Sequence, residues 1–317
     1  MNLKLFIVKS LIFVSIFWVA SYVLAKTLDA AFRQDRSDKQ SWVFSQHNLS
    51  VDYAVAGSSR AFNNVDATTL LKRTGRPAIN IGNAGQSIMD MYLTLHLFLA
   101  HENRIENLLL QIDGADLDYS HKFLPHTYLP YMSYPEVAAT VREVGGLKRY
   151  VAMKAFPLGE YWEYNDFYNL EHLQRARSGV STYDKNAGSD LLYDDTYHAL
   201  PSIPDEPAFV VDLRSRRYLD RIVQLVENHG IKLTIFSAPM YHHDQLFKKY
   251  DEAARAYIVR YCQERGIPYL DFTDAKFDRT EFRDHGHLNS VGALRFTAML
   301  ADSLMDGSQN RSLPAGD

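Results

Sequence analysis

The chain has 317 residues, of which 46% are hydrophobic and 23% are charged, and its formal net charge is -4. This length suits one large α/β domain, or one domain with a sizeable insert. The acidic balance argues against nucleic acid as a partner, because binding its phosphate backbone requires a marked basic excess. The single cysteine, Cys262, excludes an intramolecular disulfide, and its helical setting predicts a buried apolar side chain.

The chain begins with an apolar segment. Leu5–Ala25 is about as long as the ~20 residues that cross a bilayer as a helix, and Lys9 is its only charge. Lys4 and Lys9 on its N-terminal side predict that this end stays in the cytoplasm and that the rest faces the periplasmic or extracellular side. An uncleaved signal anchor and a cleaved signal peptide, followed by secretion, both fit this pattern. Bulky Tyr22 and Leu24 near the possible cleavage site favour the anchor.

Beyond this segment, strand and helix patterns alternate, which predicts a three-layer α/β sandwich with a central parallel sheet. Asp66 and Ser87 are predicted to cap the helices that follow the first two strands. Further helices are predicted from Asp212 to Gly230, from Tyr250 to Cys262 and from Asn289 to Met305. The predicted strands cover residues 51–56, 78–81, 107–112, 231–237 and 267–270.

These patterns predict four regions of the chain. They are a membrane segment over residues 1–25, a stalk over 26–50, an α/β domain over 51–305 and a flexible tail over 306–317. An insert over residues 119–207 is rich in aromatic residues. Their rings either contact a substrate, with Tyr161 and Trp162 as candidates, or form a small core of the insert itself.

The first predicted strand ends at Gly57-Ser58-Ser59-Arg60, where small residues turn into a helix. Open α/β sheets bind their ligands at this carboxyl edge, and Gly57 permits the sharp turn. Ser59 would then lie beside a helix N-terminus, whose free N–H groups can stabilise developing negative charge. Taken alone, the segment also fits an ordinary loop, which is the commoner case.

Two other segments could complete a nucleophilic site. The loop Asn80–Gly85 contains two glycines whose N–H groups could approach an oxyanion, although an ordinary loop has the same composition. Asp284 stands three residues before His287, just ahead of the last predicted helix. A carboxylate at this spacing can orient an imidazole and stabilise its cation, while the other ring nitrogen faces a serine. The alternative is a local Asp–His pair at a helix start.

The order of these segments resembles the SGNH (GDSL-like) hydrolase superfamily over roughly residues 51–305, interrupted by the aromatic insert. Ser59 matches the nucleophile of the first block, and Gly85 matches the oxyanion glycine of Asn-x-Gly-x-x-Gly. Asp284 and His287 match the last block. The resemblance implies an SGNH/flavodoxin-like fold and acyl transfer through a covalent ester on Ser59, with no cofactor.

Two positions depart from the family pattern. Ser58 replaces the aspartate of the first block, which is tolerable because that residue is not the nucleophile. Asp116 stands where the family has an asparagine that donates to the oxyanion, and an ionised carboxylate there would repel it. Either Asp116 is protonated or turned away, or Asn83 or Arg60 supplies the donor. Loss of one such donor raises the barrier by about 2.7–4 kcal/mol, which a slow transferase tolerates.

More narrowly, the chain is similar to membrane-anchored SGNH-like proteins linked to the modification of exported polysaccharides or cell-wall polymers. This implies an exported acyl esterase or O-acyltransferase that acts on a polysaccharide and transfers acetyl groups. The alternative is a catalytically weak glycan-binding or accessory protein that partners a membrane acyltransferase. Arg60, His242, Tyr161 and Trp162 are the candidate substrate contacts. A metal-dependent hydrolase is the third hypothesis, and no metal is expected because the histidines lack metallohydrolase ligand spacing.

Overall fold

The computed structural model describes residues 3–120, 122–194, 196–199, 208–241 and 248–307. The chain forms two compact units. Residues 1–45 and 124–181 form one, which we call the anchor unit, and residues 46–123 and 182–317 form the other, which we call the sheet unit. The helices are α1 (Leu3–Phe32), α2 (Lys39–Phe44), α3 (Ser59–Asn64), α4 (Ala67–Thr74), α5 (Ile88–Ala100), α6 (Gly114–Leu117), α7 (Pro135–Val144), α8 (Gly146–Ala155), α9 (Pro157–Glu163), α10 (Leu170–Ser178), α11 (Leu213–Asn228), α12 (Lys248–Arg265) and α13 (Ser290–Met305), and 3₁₀ helices cover Pro125–Tyr131 and Arg279–Glu281.

The sheet unit is built on five parallel strands in the order β2-β1-β3-β4-β5. In register, Val55 pairs with Leu109, and Leu109 pairs with Thr234. The predicted α/β fold with a central parallel sheet is therefore confirmed, and the parallel order brings the carboxyl ends of all five strands to one edge. The strands are β1 (Ser50–Ala56), β2 (Ala78–Asn80), β3 (Arg104–Gln111), β4 (Lys232–Ser237) and β5 (Tyr269–Asp271).

Both faces of this sheet are buried, as the apolar composition of its strands predicts. Val55 and Leu109 belong to a core cluster that also contains Phe296 of α13. Ala54 and Leu108 point to the opposite face, because side chains alternate along a strand, and they are fully buried as well. Helix α4 packs against α13 and α5 packs against α11. Each buried Leu or Phe stabilises such a core by about 1.5–3 kcal/mol.

The helices after the first two strands begin at the predicted caps. The Asp66 carboxylate accepts a hydrogen bond from the Thr69 N–H at 2.9 Å, at the start of α4. At the start of α5, Ser87 and Asp90 form a reciprocal capping box, in which each side chain accepts from the other's backbone N–H. These caps satisfy N–H groups that a helix start leaves without intrahelical partners, and so they fix where each loop ends.

In the anchor unit, α1 is a helix of 30 residues. At 1.5 Å per residue it is about 45 Å long. Its most apolar stretch has a mean hydropathy of 2.1 and contains no buried residue, so α1 is long and apolar enough to cross a membrane. The helix continues past Ala25 to Phe32, because the change from apolar to polar residues does not interrupt its hydrogen bonds.

Several aromatic residues of the anchor unit pack into a core of their own. The Tyr161 hydroxyl donates to an Asp29 oxygen at 2.7 Å, and its ring lies 5.5 Å from the Phe32 ring between centroids. Phe44 packs edge-on against Tyr131 at 4.6 Å. Of the two interpretations of the aromatic insert, the internal core accounts for these rings.

Part of the predicted insert belongs to the sheet unit. The Asn80 N–H of β2 donates to the Ala187 carbonyl at 2.8 Å, and the Ser290 N–H donates to the Leu192 carbonyl at 2.7 Å. Residues 182–194 therefore lie along the sheet, and only residues 124–181 pack within the anchor unit. Residues 201–207 and the end of the predicted tail, 308–317, lie outside the described residues.

Candidate active site

The turn after β1 places Ser59 at the carboxyl edge of the sheet. Gly57 has a φ of 147°, and a Cβ there would lie 2.7 Å from the Ala61 Cβ and 2.9 Å from the Gln111 Cβ. Only glycine fits this turn without strain. Ser58 is fully buried, with its hydroxyl 3.4 Å from the Gln111 side-chain oxygen. Ser59 is the next residue, the first of α3, and it is only partly buried.

The loop before α13 is folded around one carboxylate. An Asp284 oxygen accepts hydrogen bonds from the backbone N–H groups of Gly286 at 2.9 Å and His287 at 2.8 Å. Asn64, at the end of α3, holds this loop against the serine helix. Its side-chain oxygen accepts from the Leu288 N–H at 3.0 Å, and its side-chain nitrogen donates to the Gly286 carbonyl at 3.1 Å. Asn64 thus couples the two segments.

These segments bring Ser59, His287 and Asp284 into one hydrogen-bonded chain. The distance between Ser59 Oγ and His287 Nε2 is 2.7 Å. His287 Nδ1 lies 2.9 Å from each Asp284 carboxylate oxygen. Because a carboxylate only accepts, Nδ1 carries the proton that it donates to Asp284, and Nε2 is left to accept from the serine hydroxyl. This is the arrangement that the spacing of Asp284 and His287 predicts.

The Asp284 carboxyl is strongly stabilised in its ionised form. Burial by itself would raise its pKa, but the hydrogen bond from His287, attraction to the imidazolium and the backbone N–H groups of Gly286 and His287 outweigh burial and hold the pKa at about 2. A carboxylate with this pKa stays charged at any pH at which the protein is expected to act. It can therefore orient the imidazole and stabilise its protonated form.

Arg60 connects three loops at the edge of the sheet. Its guanidinium donates to the Gly286 carbonyl at 3.1 Å, to the Asp113 carboxylate at 2.9 Å and to the Pro239 carbonyl at 3.1 Å. The residue is only 6% exposed. The sequence predicts Arg60 either as a substrate contact or as an oxyanion donor. In the structure its charged partner is Asp113.

The predicted oxyanion residue Asp116 is turned away. It is fully buried, and its carboxylate accepts from the Asp113 N–H at 2.9 Å, capping the short helix α6. Asp113, Gly114 and Ala115 line the cavity that contains Ser59, whereas Asp116 does not. The expected repulsion between Asp116 and an oxyanion therefore does not arise, and Asp116 supplies no donor either.

The second-block loop also lies apart from the cavity. Gly85 is exposed and has a φ of 71°, and the Asn83 N–H donates to the Gly57 carbonyl at 3.2 Å. Neither Gly85 nor Asn83 lines the cavity around Ser59. Their predicted role as oxyanion donors is thus not supported by their positions. The Ser59 N–H, in the first turn of α3, is a backbone donor next to the Ser59 hydroxyl itself.

A cavity of about 340 Å³ opens at the serine. Carboxylates on its lining give it an acidic character, while the guanidinium of Arg60 is already bonded to protein acceptors. Burial first, and the charge of Arg60 second, lower the pKa of His285, which favours the neutral imidazole near pH 7. The lining residues are Ser58, Ser59, Arg60, Asp113, Gly114, Ala115, Asp118, Ser120, Met240, Tyr250, Asp251, His285, Gly286 and His287.

The other predicted substrate contacts are Tyr161, Trp162 and His242. Tyr161 is 3% exposed within the anchor unit, and its hydroxyl is bonded to Asp29, so it serves the core of that unit. Trp162, also in the anchor unit, is 81% exposed. His242 lies outside the described residues. Within the described ranges, no group of three or more His, Cys, Asp or Glu side chains could hold a metal ion.

The sequence patterns did not predict two residues of the site. Asn64 sits at the end of α3 in an Asn-Asn pair with no catalytic signature. Asp113, which holds Arg60, follows the third predicted strand immediately and precedes a glycine. The position of Asp113 at the carboxyl edge of a parallel strand is a signal that could have found it.

Comparisons with known proteins give low similarity. No family model and no curated protein match the chain. Among solved structures, it is similar to a Desulfitobacterium hafniense protein described as lipolytic and of the G-D-S-L family, at 12% identity over 79% of this chain and 98% of that one, with a TM-score of 0.39. A GDSL-like lipase from Bacteroides thetaiotaomicron matches at 9% identity over 81% and 88%, with a TM-score of 0.38.

A third structure, from Streptococcus pneumoniae and described as a platelet activating factor, matches at 10% identity. It covers 95% of this chain and 98% of that one, with a TM-score of 0.42.

Proposed function

We propose that this protein is a serine esterase or O-acyltransferase whose nucleophile is Ser59. The observation that carries the proposal is the hydrogen-bonded chain from Ser59 Oγ through His287 to the Asp284 carboxylate, with distances of 2.7 and 2.9 Å. A serine, an imidazole and a carboxylate in this order form the arrangement that activates a hydroxyl for attack on an ester.

The proposed reaction has two halves. In the first, Ser59 Oγ attacks the ester carbonyl, its proton moves to His287 Nε2, and Asp284 stabilises the imidazolium. His287 then returns this proton to the leaving alcohol as the carbon–oxygen bond breaks, which leaves an acyl group on Ser59. In the second half, water or a sugar hydroxyl gives its proton to His287 and attacks the acyl ester. The protonated imidazole then restores the serine hydroxyl.

The substrate we propose is a neutral acyl ester, and specifically an O-acetyl group on an exported polysaccharide. The cavity of about 340 Å³ is at the small end of the range for ligand sites. Asp113, Asp118 and Asp251 on its lining disfavour an anionic acyl group. The polysaccharide itself rests on the family resemblance alone.

We further propose that α1 keeps the protein in the membrane, with the sheet unit on the periplasmic or extracellular side. Its apolar stretch is long enough to cross a bilayer. Lys4 and Lys9 near its start predict a cytoplasmic N-terminus. An esterase held at the outer face would meet polymers as they leave the membrane.

The decisive experiment is covalent labelling of the purified full-length chain with a fluorophosphonate. Ser59 is expected to carry the label, and Ser59→Ala and His287→Ala are expected to lose it. Ser120→Ala is the matched control, because Ser120 lines the same cavity but lies outside the hydrogen-bonded chain. Labelling that persists in both active-site variants contradicts the proposal.

A second measurement separates hydrolysis from transfer. With an acetylated chromogenic ester, the release of acetate and of acetylated oligosaccharide is followed as the concentration of a soluble oligosaccharide rises. Both products come from one acyl-enzyme. A transferase is therefore indicated if acetylated oligosaccharide replaces acetate as the product while the total rate of ester turnover stays constant. If the wild-type protein takes up the fluorophosphonate but never releases product from the ester, the result instead supports the accessory role.

A further inference from the structure

The anchor unit contains an apolar groove between α1 and the corner where α8 meets α9, which we call the α1 groove. It has a volume of about 650 Å³. Phe156 and Trp162 on its rim are 61% and 81% exposed. Large aromatic side chains this exposed are unusual in contact with water and mark a surface that meets an apolar partner. The walls include Phe17, Trp18, Tyr22, Phe156, Leu158 and Trp162.

One hydrogen bond fixes the level of this corner along α1. The Trp18 indole N–H donates to the Ala155 carbonyl at 2.8 Å, at the end of α8. Trp18 lies well inside the apolar stretch of α1. If α1 spans the membrane as proposed, the α8–α9 corner enters the lipid region. Leu147 and Val151, one turn apart on α8, are 62% and 45% exposed and extend the apolar surface.

Beside the α1 groove lies a second cavity of about 390 Å³ with a different character, which we call the cationic cavity. Lys26, Arg33 and Lys154 line it together with one acidic residue, Asp29. Asp29 is only 4% exposed and already accepts hydrogen bonds from Lys26 and from the Tyr161 hydroxyl. The cavity therefore has an excess of two positive charges.

The two cavities adjoin, because Tyr22 lines both. Phe17 in the α1 groove and Lys26 in the cationic cavity are separated by roughly 14 Å along α1, at 1.5 Å per residue. Half of the hydrocarbon core of a bilayer is about 15 Å thick. An acyl chain in the α1 groove that reaches the level of Phe17 would therefore have its phosphate end near the level of Lys26 along the helix.

We propose that the anchor unit binds one phospholipid of the surrounding membrane. An acyl chain lies in the α1 groove, and the anionic head group is bound by Lys26, Arg33 and Lys154 in the cationic cavity. This inference rests on the proposed insertion of α1, but not on the chemistry at Ser59. A carbohydrate is disfavoured as the occupant of the groove, because the groove offers mainly apolar walls.

The site is tested with the full-length chain reconstituted in phosphatidylcholine vesicles that contain a phosphatidylglycerol with a diazirine in one acyl chain. After irradiation, mass spectrometry locates the adducts. We expect adducts within residues 14–22 and 155–165, and we expect unlabelled phosphatidylglycerol to compete for them better than phosphatidylcholine does. Adducts within residues 5–13 report ordinary contact with the bilayer and should not show this competition.

Paired variants test the two parts of the site. Lys154→Gln is expected to lower phosphatidylglycerol labelling of the corner about fivefold, the effect of one cation near a membrane surface. Lys148→Gln is its control, since Lys148 is an exposed lysine of the same helix that does not line the cationic cavity. Trp162→Ala should lower labelling, whereas Leu170→Ala, 70% exposed and outside the groove, should not.

Four results would overturn the proposal. Adducts confined to residues 5–13 would show an inserted helix without a lipid site. Equal competition by both lipids, or equal effects of Lys154→Gln and Lys148→Gln, would show bulk lipid contact only. If no segment is labelled, the insertion of α1 fails as well. Fluorophosphonate labelling of Ser59 is independent of all four, so the failure of the lipid site is distinguishable from that of the esterase.

Discussion

The side chains at this site form two groups. Ser59, His287 and Asp284 form the hydrogen-bonded chain. Asn64 and Arg60 touch the Gly286 carbonyl instead and hold the histidine loop against the serine helix. The second group does not contact the hydroxyl or the imidazole, so its loss should affect the position of the imidazole and the stability of the fold together.

The role of Asp284 can be tested by Asp284→Asn. The amide keeps the shape but loses the charge that orients the imidazole, so we expect kcat to fall on the order of 10⁴-fold. Asp302→Asn is the control, because Asp302 is a surface residue of α13 that pairs with Arg73 at 3.0 Å and does not line the cavity around Ser59. Steady-state hydrolysis of a chromogenic ester measures both. Similar kcat values for the two variants would argue against a catalytic Asp284.

The low pKa of Asp284 also predicts how stability depends on pH. Its pKa is about 2 in the folded protein and ~3.9 in an unfolded chain, so the folded state gains from ionisation. This gain is present above about pH 4 and is lost as the pH falls toward 2, by at most about 2 kcal/mol. Urea unfolding across this range should show the loss in wild type. In Asp284→Asn this part of the pH dependence should be absent.

Arg60 is expected to contribute to stability because it neutralises Asp113 inside the protein. Arg60→Met leaves a largely buried carboxylate without its partner, which costs about 3–5 kcal/mol of unfolding free energy. The exposed pair of Arg73 and Asp302, at 3.0 Å, provides the comparison. Arg73→Met should cost no more than about 1 kcal/mol.

The double variant Arg60→Met/Asp113→Asn checks the origin of that cost. It removes the uncompensated charge and should regain part of the stability, as measured by urea unfolding. If the double variant is as unstable as the sum of the two single variants, Arg60 stabilises the loops through its carbonyl contacts and not through its charge.

Among the structural elements, the turn between β1 and α3 determines where the proposed nucleophile, Ser59, lies. Gly57→Ala would force a Cβ to within 2.7 Å of the Ala61 Cβ at a φ of 147°. We expect a loss of about 2–4 kcal/mol in unfolding free energy, from strain and overpacking together. Fluorophosphonate labelling should slow as well, because the turn carries Ser59.

Gly75→Ala is the matched control for this turn. Gly75 also has a positive φ, of 69°, but nothing lies within 4 Å of the position of its Cβ. The expected cost is about 1 kcal/mol, from the left-handed conformation alone, with no change in labelling. Equal losses for the two variants would mean that the close packing around Gly57 is unimportant.

The elements could largely be predicted from the sequence, because apolar runs and caps are local. The predicted strand at 51–56 is observed as Ser50–Ala56, and Ser87 caps its helix as expected. The contact of residues 182–194 with β2 was not predictable. It depends on backbone bonds such as that from Asn80 to Ala187, which leave no trace in side-chain composition.

The site was predictable where it rests on short spacing and not where it rests on distant contacts. Asp284 and His287 are three residues apart, so their pairing can be inferred locally. Arg60 and Asp113 are 53 positions apart, and their ion pair depends on the order of strands β1 and β3 in the sheet. The orientation of Asp116 depends on a capping interaction inside α6, which the family pattern does not contain.

At the scale of the whole molecule, the proposed anchoring depends on the apolar surface of α1. Phe13→Arg places a charge near the middle of the span and should cost about 2.5–3.5 kcal/mol of insertion free energy. The fraction of protein that resists carbonate extraction should fall, while Phe13→Leu should leave it unchanged. A mature protein whose mass lacks the first 25 residues would contradict the anchor and support signal cleavage.

Ser59 and His287 are 228 positions apart in the chain. If the chain crosses the membrane from its N-terminus onward, as the proposed anchoring requires, Ser59 crosses before its proposed base. The proposed esterase would then become reactive only after the residues up to His287 had crossed and folded. A product that ends before residue 284 lacks both Asp284 and His287, so it should not take up a fluorophosphonate label.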